Sequence, residues 1–187
     1  MMRAMHRSGA YHAGMRLLAL LACMLLAACT SVPRTDDAGA SFIVVRHAEK
    51  VDASRDPDLS ARGHARAQAL AARLGDAKLV ALYATEFKRT GQTIATVAAT
   101  HDLPVTPYAA DEAASTFAAR LRAAHPSGTV LIAGHSNTVP GIVTALCECE
   151  AAEMPDHEYD RLSIVRIAPG QTPALDVSRY GEASARP

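Results

Sequence analysis

Residues 41–50 read SFIVVRHAEK, an apolar run of strand length that stops abruptly at Arg46, His47, Ala48, Glu49 and Lys50. The run from Ser41 to Val45 is continuous rather than alternating, as expected of a strand covered on both faces. Two more runs of this kind lie downstream, LVALY at Leu79 to Tyr83 and TVLIA at Thr129 to Ala133. Longer segments of helical period separate them, and that alternation describes an α/β fold with a central sheet and helices on its faces. The three runs are expected at the sheet centre. Pro104 to Tyr108 reads as a weaker strand, and Arg161 to Ala168 with Ala174 to Tyr180 as two edge strands joined at Pro169-Gly170.

Four helices are expected between these runs. Gly63, Ala67, Leu70 and Leu74 share one face after a candidate N-cap at Ser60. Phe87, Gly91, Ile94 and Ala98 repeat the spacing after Thr85, a second candidate N-cap. Ala114, Phe117, Ala118 and Leu121 form a third stripe. Val139, Ile142, Val143 and Leu146 form a fourth, with Pro140 tolerable in a first turn.

Ligands of open α/β sheets bind beyond the carboxyl ends of the strands, so the residues just after the apolar runs carry the functional information. The central runs deliver Arg46 and His47, then Thr85 to Thr90 with Arg89, then His135 to Thr138. Two histidines and two arginines at one rim suit an anion better than a metal, because guanidinium groups and helix N-termini match phosphate oxygens. A neutral imidazole in such a setting can attack phosphorus while arginines hold the equatorial oxygens.

The motifs that follow resemble those of the histidine phosphatase superfamily, the phosphoglycerate mutase-like family. VRHAE at Val45 to Glu49 resembles its RHG or RHAE signature, LSARG at Leu59 to Gly63 its helix start, YATEFKRTGQT at Tyr83 to Thr93 its YSSPLxRAxQT segment, and LIAGHSNT at Leu131 to Thr138 its second-histidine motif. They stand in family order across Phe42 to Val143, and Tyr159 to Val165 resembles the closing strand. The resemblance implies a three-layer α/β/α sandwich with a mostly parallel central sheet. It also implies that His47 becomes phosphorylated, that Arg46, Arg89 and His135 bind phosphate, and that neither cofactor nor metal is needed.

The proton donor is open at this level. Related mutases use a glutamate after the third strand, where this chain has Asp111 and Glu112. Either residue suits that role, Glu112 somewhat better, and either serves equally as an N-cap or first-turn partner of the third helix. Glu49 and Lys50 either line the mouth or pair with each other or solvent. His64 reads as a surface residue. The segments that close over substrate in the mutases are missing, as is any tryptophan, so hydrolysis of a small phosphorylated substrate is expected rather than phosphate transfer. The His-Asp pair of the acid-phosphatase branch is replaced by His135-Ser136. A phosphohistidine phosphatase or mutase of the same superfamily, or a noncatalytic lipoprotein binding phosphorylated envelope ligands, are the alternatives.

The N-terminus carries a different signal. RLLALLACMLLAA at Arg16 to Ala28 is too short to span a bilayer and has the build of an export signal. LAAC, ending at Cys29, resembles the lipobox of bacterial lipoproteins, so Cys29 is the expected lipidation site and the membrane a partner through that anchor. The signal and anchor make the cell envelope, on the periplasmic face, the expected location, and Thr30 after the cysteine resembles outer-membrane sorting. Translation from Met15 would set Met-Arg directly before the apolar run. The expected organisation is a signal peptide at 1–28, a lipidated tether at 29–39, a phosphatase domain at 40–180 and a flexible tail at 181–187.

Lys and Arg number 19 against 19 for Asp and Glu. Removing residues 1–28 takes away Arg3, Arg7 and Arg16 and no acid, leaving a mildly acidic remainder. Neither balance offers the uncompensated basic face that nucleic acid needs. Cys147 and Cys149, with His157 downstream, leave a zinc site or a short-loop disulfide open.

Overall fold

The structure, a computed structural model, describes residues 39–185. The expected signal segment, Cys29 and most of the tether lie outside the described residues. Six strands and four helices follow in the order β1 (Ala40–Arg46), α1 (Ala61–Leu74), β2 (Leu79–Thr85), α2 (Lys88–His101), β3 (Val105–Tyr108), α3 (Ala114–Ala124), β4 (Gly128–Gly134), α4 (Val139–Cys147), β5 (Arg161–Ile167) and β6 (Ala174–Arg179). They form one sheet in the order β3-β2-β4-β1-β5-β6. The β1, β2, β3 and β4 pairings are parallel, and β5 and β6 join antiparallel.

Burial on both faces explains the continuous apolar runs. Phe42 and Val44 of β1 pack with Ile132 of β4 against Phe117 and Leu121 of α3 and Ile142 and Leu146 of α4. The alternate residues Ile43 and Val45 pack with Leu82 and Leu131 against Leu70 of α1 and Ile94 and Val97 of α2. Each strand therefore supplies two cores, and the result is a three-layer sandwich.

Two expectations are corrected here. β5 is not an edge strand: it pairs with β1 on one side and β6 on the other, and Leu162, Ser163 and Val165 are buried. Thr85 does not cap α2. It is the last residue of β2, the N-cap position falls on Phe87 without a side-chain bond, and the Thr85 hydroxyl is used inside the site. By contrast Ser60 caps α1 as expected, its Oγ accepting from Gly63 N–H at 3.1 Å.

Gly63 matters for another reason. An added Cβ would lie 2.1 Å from the Glu49 carbonyl oxygen, so only glycine lets α1 approach the loop that follows β1. At the far end of α4, Cys147 and Cys149 are joined as a disulfide with Cα atoms 5.1 Å apart, around Glu148 in a left-handed conformation at φ 54°. Arg122 of α3 ties that end, bonding the Glu148 carboxylate at 2.6 Å and the Leu146 carbonyl. Among the described residues no helix is long and apolar enough to cross a membrane. Residues 181–187, expected as a flexible tail, are described as far as Ala185, and Ser184 Oγ there accepts from Tyr159 N–H at 2.8 Å and Asp160 N–H at 3.1 Å.

Candidate active site

The parallel strands β1, β2 and β4 end side by side, and a cavity of about 530 Å³ opens beyond their carboxyl ends. Arg46, His47, Lys50, Phe87, Arg89, His135, Ser136, Asp156 and Tyr159 are among its lining residues. The strand order thus brings together four residues that are widely separated in sequence. His47 and His135 have ring centroids 5.3 Å apart, in an edge-on arrangement.

His47 is held at every exit from β1. Its N–H bonds the Gly134 carbonyl of the neighbouring strand at 2.9 Å. The next N–H, that of Ala48, bonds Thr93 Oγ1 of α2 at 2.8 Å, and Thr93 in turn bonds the Arg89 carbonyl at 2.7 Å. The ring itself is oriented by Nδ1, 2.8 Å from the Ala48 carbonyl oxygen. A carbonyl only accepts, so Nδ1 carries the proton and Nε2 carries the lone pair. Burial pushes the His47 pKa down to about 3, the positive fields of Arg46 and Arg89 adding to that effect against the Ala48 bond. The imidazole is neutral at physiological pH.

The same logic fixes the tautomer of His135. Thr90 Oγ1 is 2.7 Å from the Phe87 carbonyl and must donate there, so it accepts from Thr85 Oγ1 at 2.8 Å. Thr85 Oγ1 then accepts from His135 Nε2 at 3.0 Å. That leaves Nδ1 of His135 as the acceptor for Arg89, 3.3 Å away. Burial and the Arg89 charge lower the His135 pKa to about 4, with Glu86 opposing. Arg89 lies over the Phe87 ring, its guanidinium carbon 4.4 Å from the ring centroid.

Arg46 reaches in the other direction. Its NH1 bonds the carbonyl oxygens of Pro155, Asp156 and Glu158 at 3.2, 2.8 and 3.0 Å. Its guanidinium carbon stands 4.0 Å from the centroid of the Tyr159 ring. The side chain is 5% exposed and its Nε is buried without a partner. A buried, unpartnered N–H of a permanent cation is costly unless an acceptor arrives. Two arginines, two neutral histidines and an open mouth therefore make a receptor for a small tetrahedral oxyanion beside a nucleophilic nitrogen.

The profile of the histidine phosphatase superfamily (branch 1) matches residues 42–112, a span that includes Arg46, His47 and Arg89. Over that span, less than half of the chain, the sequence is similar to the histidine phosphatase superfamily. No curated protein matches it at a significant level. Among solved structures it is similar to the protein histidine phosphatase SixA complexed with tungstate, at 20% identity and a TM-score of 0.61, covering 74% of this chain and 96% of that one. It is also similar to mycobacterial glucosyl-3-phosphoglycerate phosphatase, at 14% identity and a TM-score of 0.61, covering 75% and 99%. Phosphoserine phosphatase from Entamoeba histolytica in complex with 3-phosphoglyceric acid aligns at 13% identity and a TM-score of 0.56, covering 76% and 98%. At these identities the likeness establishes a shared fold.

Arg46, His47, Arg89 and His135 converge on the cavity, while Asp111 and Glu112 are not among its lining residues. Glu112 is bonded to Arg120 of α3, with NH2 to Oε2 at 2.7 Å. Asp111 does not cap α3 either, since the N-cap position falls on Ala113. From that loop only Ala110 reaches the cavity, and its N–H bonds Glu86 Oε2 at 2.9 Å. Of the Glu49 and Lys50 pair, Lys50 lines the cavity, whereas Glu49 turns back to Arg66 and Arg62.

Sequence reasoning did not assign Thr85, Thr90, Thr93 or Gln92 to the site. Gln92 Oε1 accepts from Leu59 N–H at 2.9 Å while its Nε2 donates to Asp58 at 2.8 Å, holding the chain ahead of α1. For Thr90, Gln92 and Thr93 the signal was the unbroken RTGQT motif at Arg89 to Thr93, in which Arg89, Thr90, Gln92 and Thr93 each proves to touch a different part of the site. Asp156 was not singled out and Tyr159 was read only as the start of the closing strand; both precede β5 in an irregular segment, where Asp156 meets Arg46 through its backbone carbonyl and Tyr159 through its ring.

Proposed function

We propose that this protein hydrolyses phosphomonoesters through a phosphohistidine formed on His47, tethered to the cell-envelope membrane through lipid on Cys29. The observation that carries the chemistry is the His47 Nδ1 to Ala48 carbonyl bond of 2.8 Å, which presents the Nε2 lone pair to a cavity lined by arginines. As Nε2 bonds to phosphorus, positive charge develops on the ring, and the Nδ1–H bond to the carbonyl stabilises it. Arg46 and Arg89 hold the phosphoryl oxygens, and His135, whose Nδ1 accepts from Arg89, positions that guanidinium. The ester oxygen leaves toward the mouth, and water then cleaves the P–N bond to release orthophosphate.

Hydrolysis is favoured over transfer by the shape of the rim. Only the residues between Tyr108 and Ala114 connect β3 to α3, too few to fold over the substrate and shut water out. The solved structures named above include a glucosyl-3-phosphoglycerate phosphatase and a protein histidine phosphatase, and the first of these supports a small phosphorylated substrate in an open pocket. Support for export and anchoring is the leader ending LAAC at Cys29.

The test is turnover of 4-nitrophenyl phosphate by the full chain in detergent, with His47→Ala as control. The expected result is loss of turnover in the variant, and an acid-labile, base-stable phosphate trapped on the unaltered protein. Equal rates, or a trapped phosphate that survives acid, would overturn the reading. For the anchor, labelled palmitate should be incorporated by the unaltered chain and not by Cys29→Ala.

A further inference from the structure

We propose that Asp156 is the acid that protonates the departing ester oxygen and then the base that takes a proton from the hydrolytic water. This inference rests on the phosphohistidine reading above. Asp156 carries the only carboxylate among the described residues that line the cavity. The other acids near the rim do not line the cavity and have partners of their own: Glu86 the Ala110 N–H, Asp56 the Lys88 N–H and Arg89, Glu112 Arg120, Glu49 Arg66 and Arg62, and Glu158 Arg161 and Arg179.

Its position is built into the phosphate pocket. Arg46 NH1 bonds the Asp156 carbonyl oxygen at 2.8 Å and two nearby carbonyls, those of Pro155 just before it and Glu158 two residues on. The Tyr159 ring closes on the same guanidinium at 4.0 Å. The arginine that would hold the phosphoryl group therefore also fixes the backbone that carries the acid. The carboxylate is oriented from the other side by Ser136, whose Oγ donates to Oδ1 at 3.2 Å, and Ser136 directly follows His135. Both anchors of Asp156 thus belong to residues at the phosphate pocket or next to it.

An ionised carboxylate facing a phosphate dianion would be repelled. A docked substrate therefore favours the protonated carboxyl, the form an acid catalyst needs. In the first step the P–N bond to His47 Nε2 forms as the P–O ester bond breaks, and the Asp156 proton goes to the leaving oxygen, giving a free alcohol and a carboxylate. In the second, the carboxylate takes a proton from water while the water oxygen bonds to phosphorus and the P–N bond breaks. Orthophosphate, neutral His47 with Nδ1–H, and protonated Asp156 are restored.

The deciding experiment compares kcat/KM of the full chain with Asp156→Asn and Asp156→Glu on 4-nitrophenyl phosphate, phenyl phosphate and glycerol phosphate. Nitrophenolate departs without a proton, whereas an alkoxide does not. Asp156→Asn should lose a few-fold on 4-nitrophenyl phosphate but about 10²-fold or more on glycerol phosphate. Asp156→Glu should keep most of the glycerol phosphate to nitrophenyl phosphate ratio. The ratio is unaffected by the fraction of folded enzyme, so partial unfolding does not imitate the result. A ratio unchanged in Asp156→Asn would overturn the proposal and leave the phosphohistidine reading standing. Retention of turnover by His47→Ala would instead overturn that reading.

Discussion

Replacing Glu49 by alanine should be among the most damaging single changes to stability, although Glu49 does not line the cavity. The Arg66 side chain is 1% exposed and Glu49's is 13% exposed. Arg66 Nε bonds Glu49 Oε1 and Oε2 at 3.1 and 2.9 Å, and NH2 bonds Oε1 at 2.7 Å. In Glu49→Ala only the NH1 bond to the Tyr180 carbonyl at 3.1 Å remains, and a full positive charge stays buried without a counter-ion. Breaking a buried pair from one side costs about 3–5 kcal/mol. For a domain of this size that lowers Tm by roughly 6–20 °C. Following Glu49→Ala with Arg66→Met should recover most of the loss, because the stranded charge is then gone.

The pH dependence of the same pair has a definite sign. Burial pushes the Glu49 pKa up, but the hydrogen bonds and charge of Arg66, with Arg62 behind it, more than offset that, so the folded-state pKa is lowered. A carboxylate held below its unfolded value contributes stability above that unfolded value, and the contribution is lost as pH falls through the folded one. The stability gap between the unaltered chain and Glu49→Gln should be constant from neutral pH to about 5 and shrink below about 4. Urea unfolding followed by circular dichroism measures each quantity. A Glu49→Ala cost below about 1 kcal/mol, the scale of a surface pair, would refute the reasoning, as would a double variant no more stable than the single one.

Gly63→Ala drives a methyl to 2.1 Å from the Glu49 carbonyl oxygen, which must move together with its bond from Ser60 N–H; a loss of about 1–3 kcal/mol and reduced kcat/KM are expected, and an unchanged melting curve would contradict the close approach. Thr85→Val removes the acceptor of His135 Nε2–H inside the protein and should cost about 1–3 kcal/mol and weaken vanadate inhibition, while Thr85→Ser should restore both. Both site histidines have folded pKa values below the unfolded 6.5, at about 3 for His47 and about 4 for His135, so the unfolded chain binds more protons between those limits and stability should fall as pH drops from 6.5 toward 4. Nitrogen-15 spectra of labelled histidine should show both rings neutral at pH 5.5, with Nδ1–H in His47 and Nε2–H in His135; an imidazolium signal from either at that pH would count against the assigned hydrogen bonds.

The sheet was legible because burial on two faces writes itself as an unbroken apolar run, and β1, β2 and β4 all carry one. β5 misled for the same reason in reverse: RLSIVRI mixes polar and apolar residues because its outer neighbour β6 is largely exposed, yet the strand lies inside the sheet. The meeting of Arg46, His47, Arg89 and His135 at one cavity was legible because each lies at or shortly after the carboxyl end of a central strand. Thr85 was misread because β-branched and hydroxyl-bearing residues before a helix look like caps, and only the tertiary position of His135 shows that its Oγ1 is needed there. The acid was sought after β3, where the resemblance placed it, but Arg120 lies within reach of Glu112 on the next helix and draws it away.

The charge tally shows why some of this chemistry has no compositional trace. Equal numbers of acids and bases describe no part of the cavity, where Arg46, Arg89 and Lys50 face one acid side chain, Asp156. Those cations do two things at once. They favour an anion, and Arg46 and Arg89 disfavour a proton on His47 and His135, adding to the larger effect of burial. A histidine near its ordinary pKa would be partly protonated at neutral pH and to that extent no nucleophile. Burial first, and the positive surroundings after it, therefore keep the His47 lone pair available, and in the proposed reaction an arriving phosphate dianion would compensate that field. Binding and activation are one electrostatic arrangement, set by the strand order that places β1 between β4 and β5.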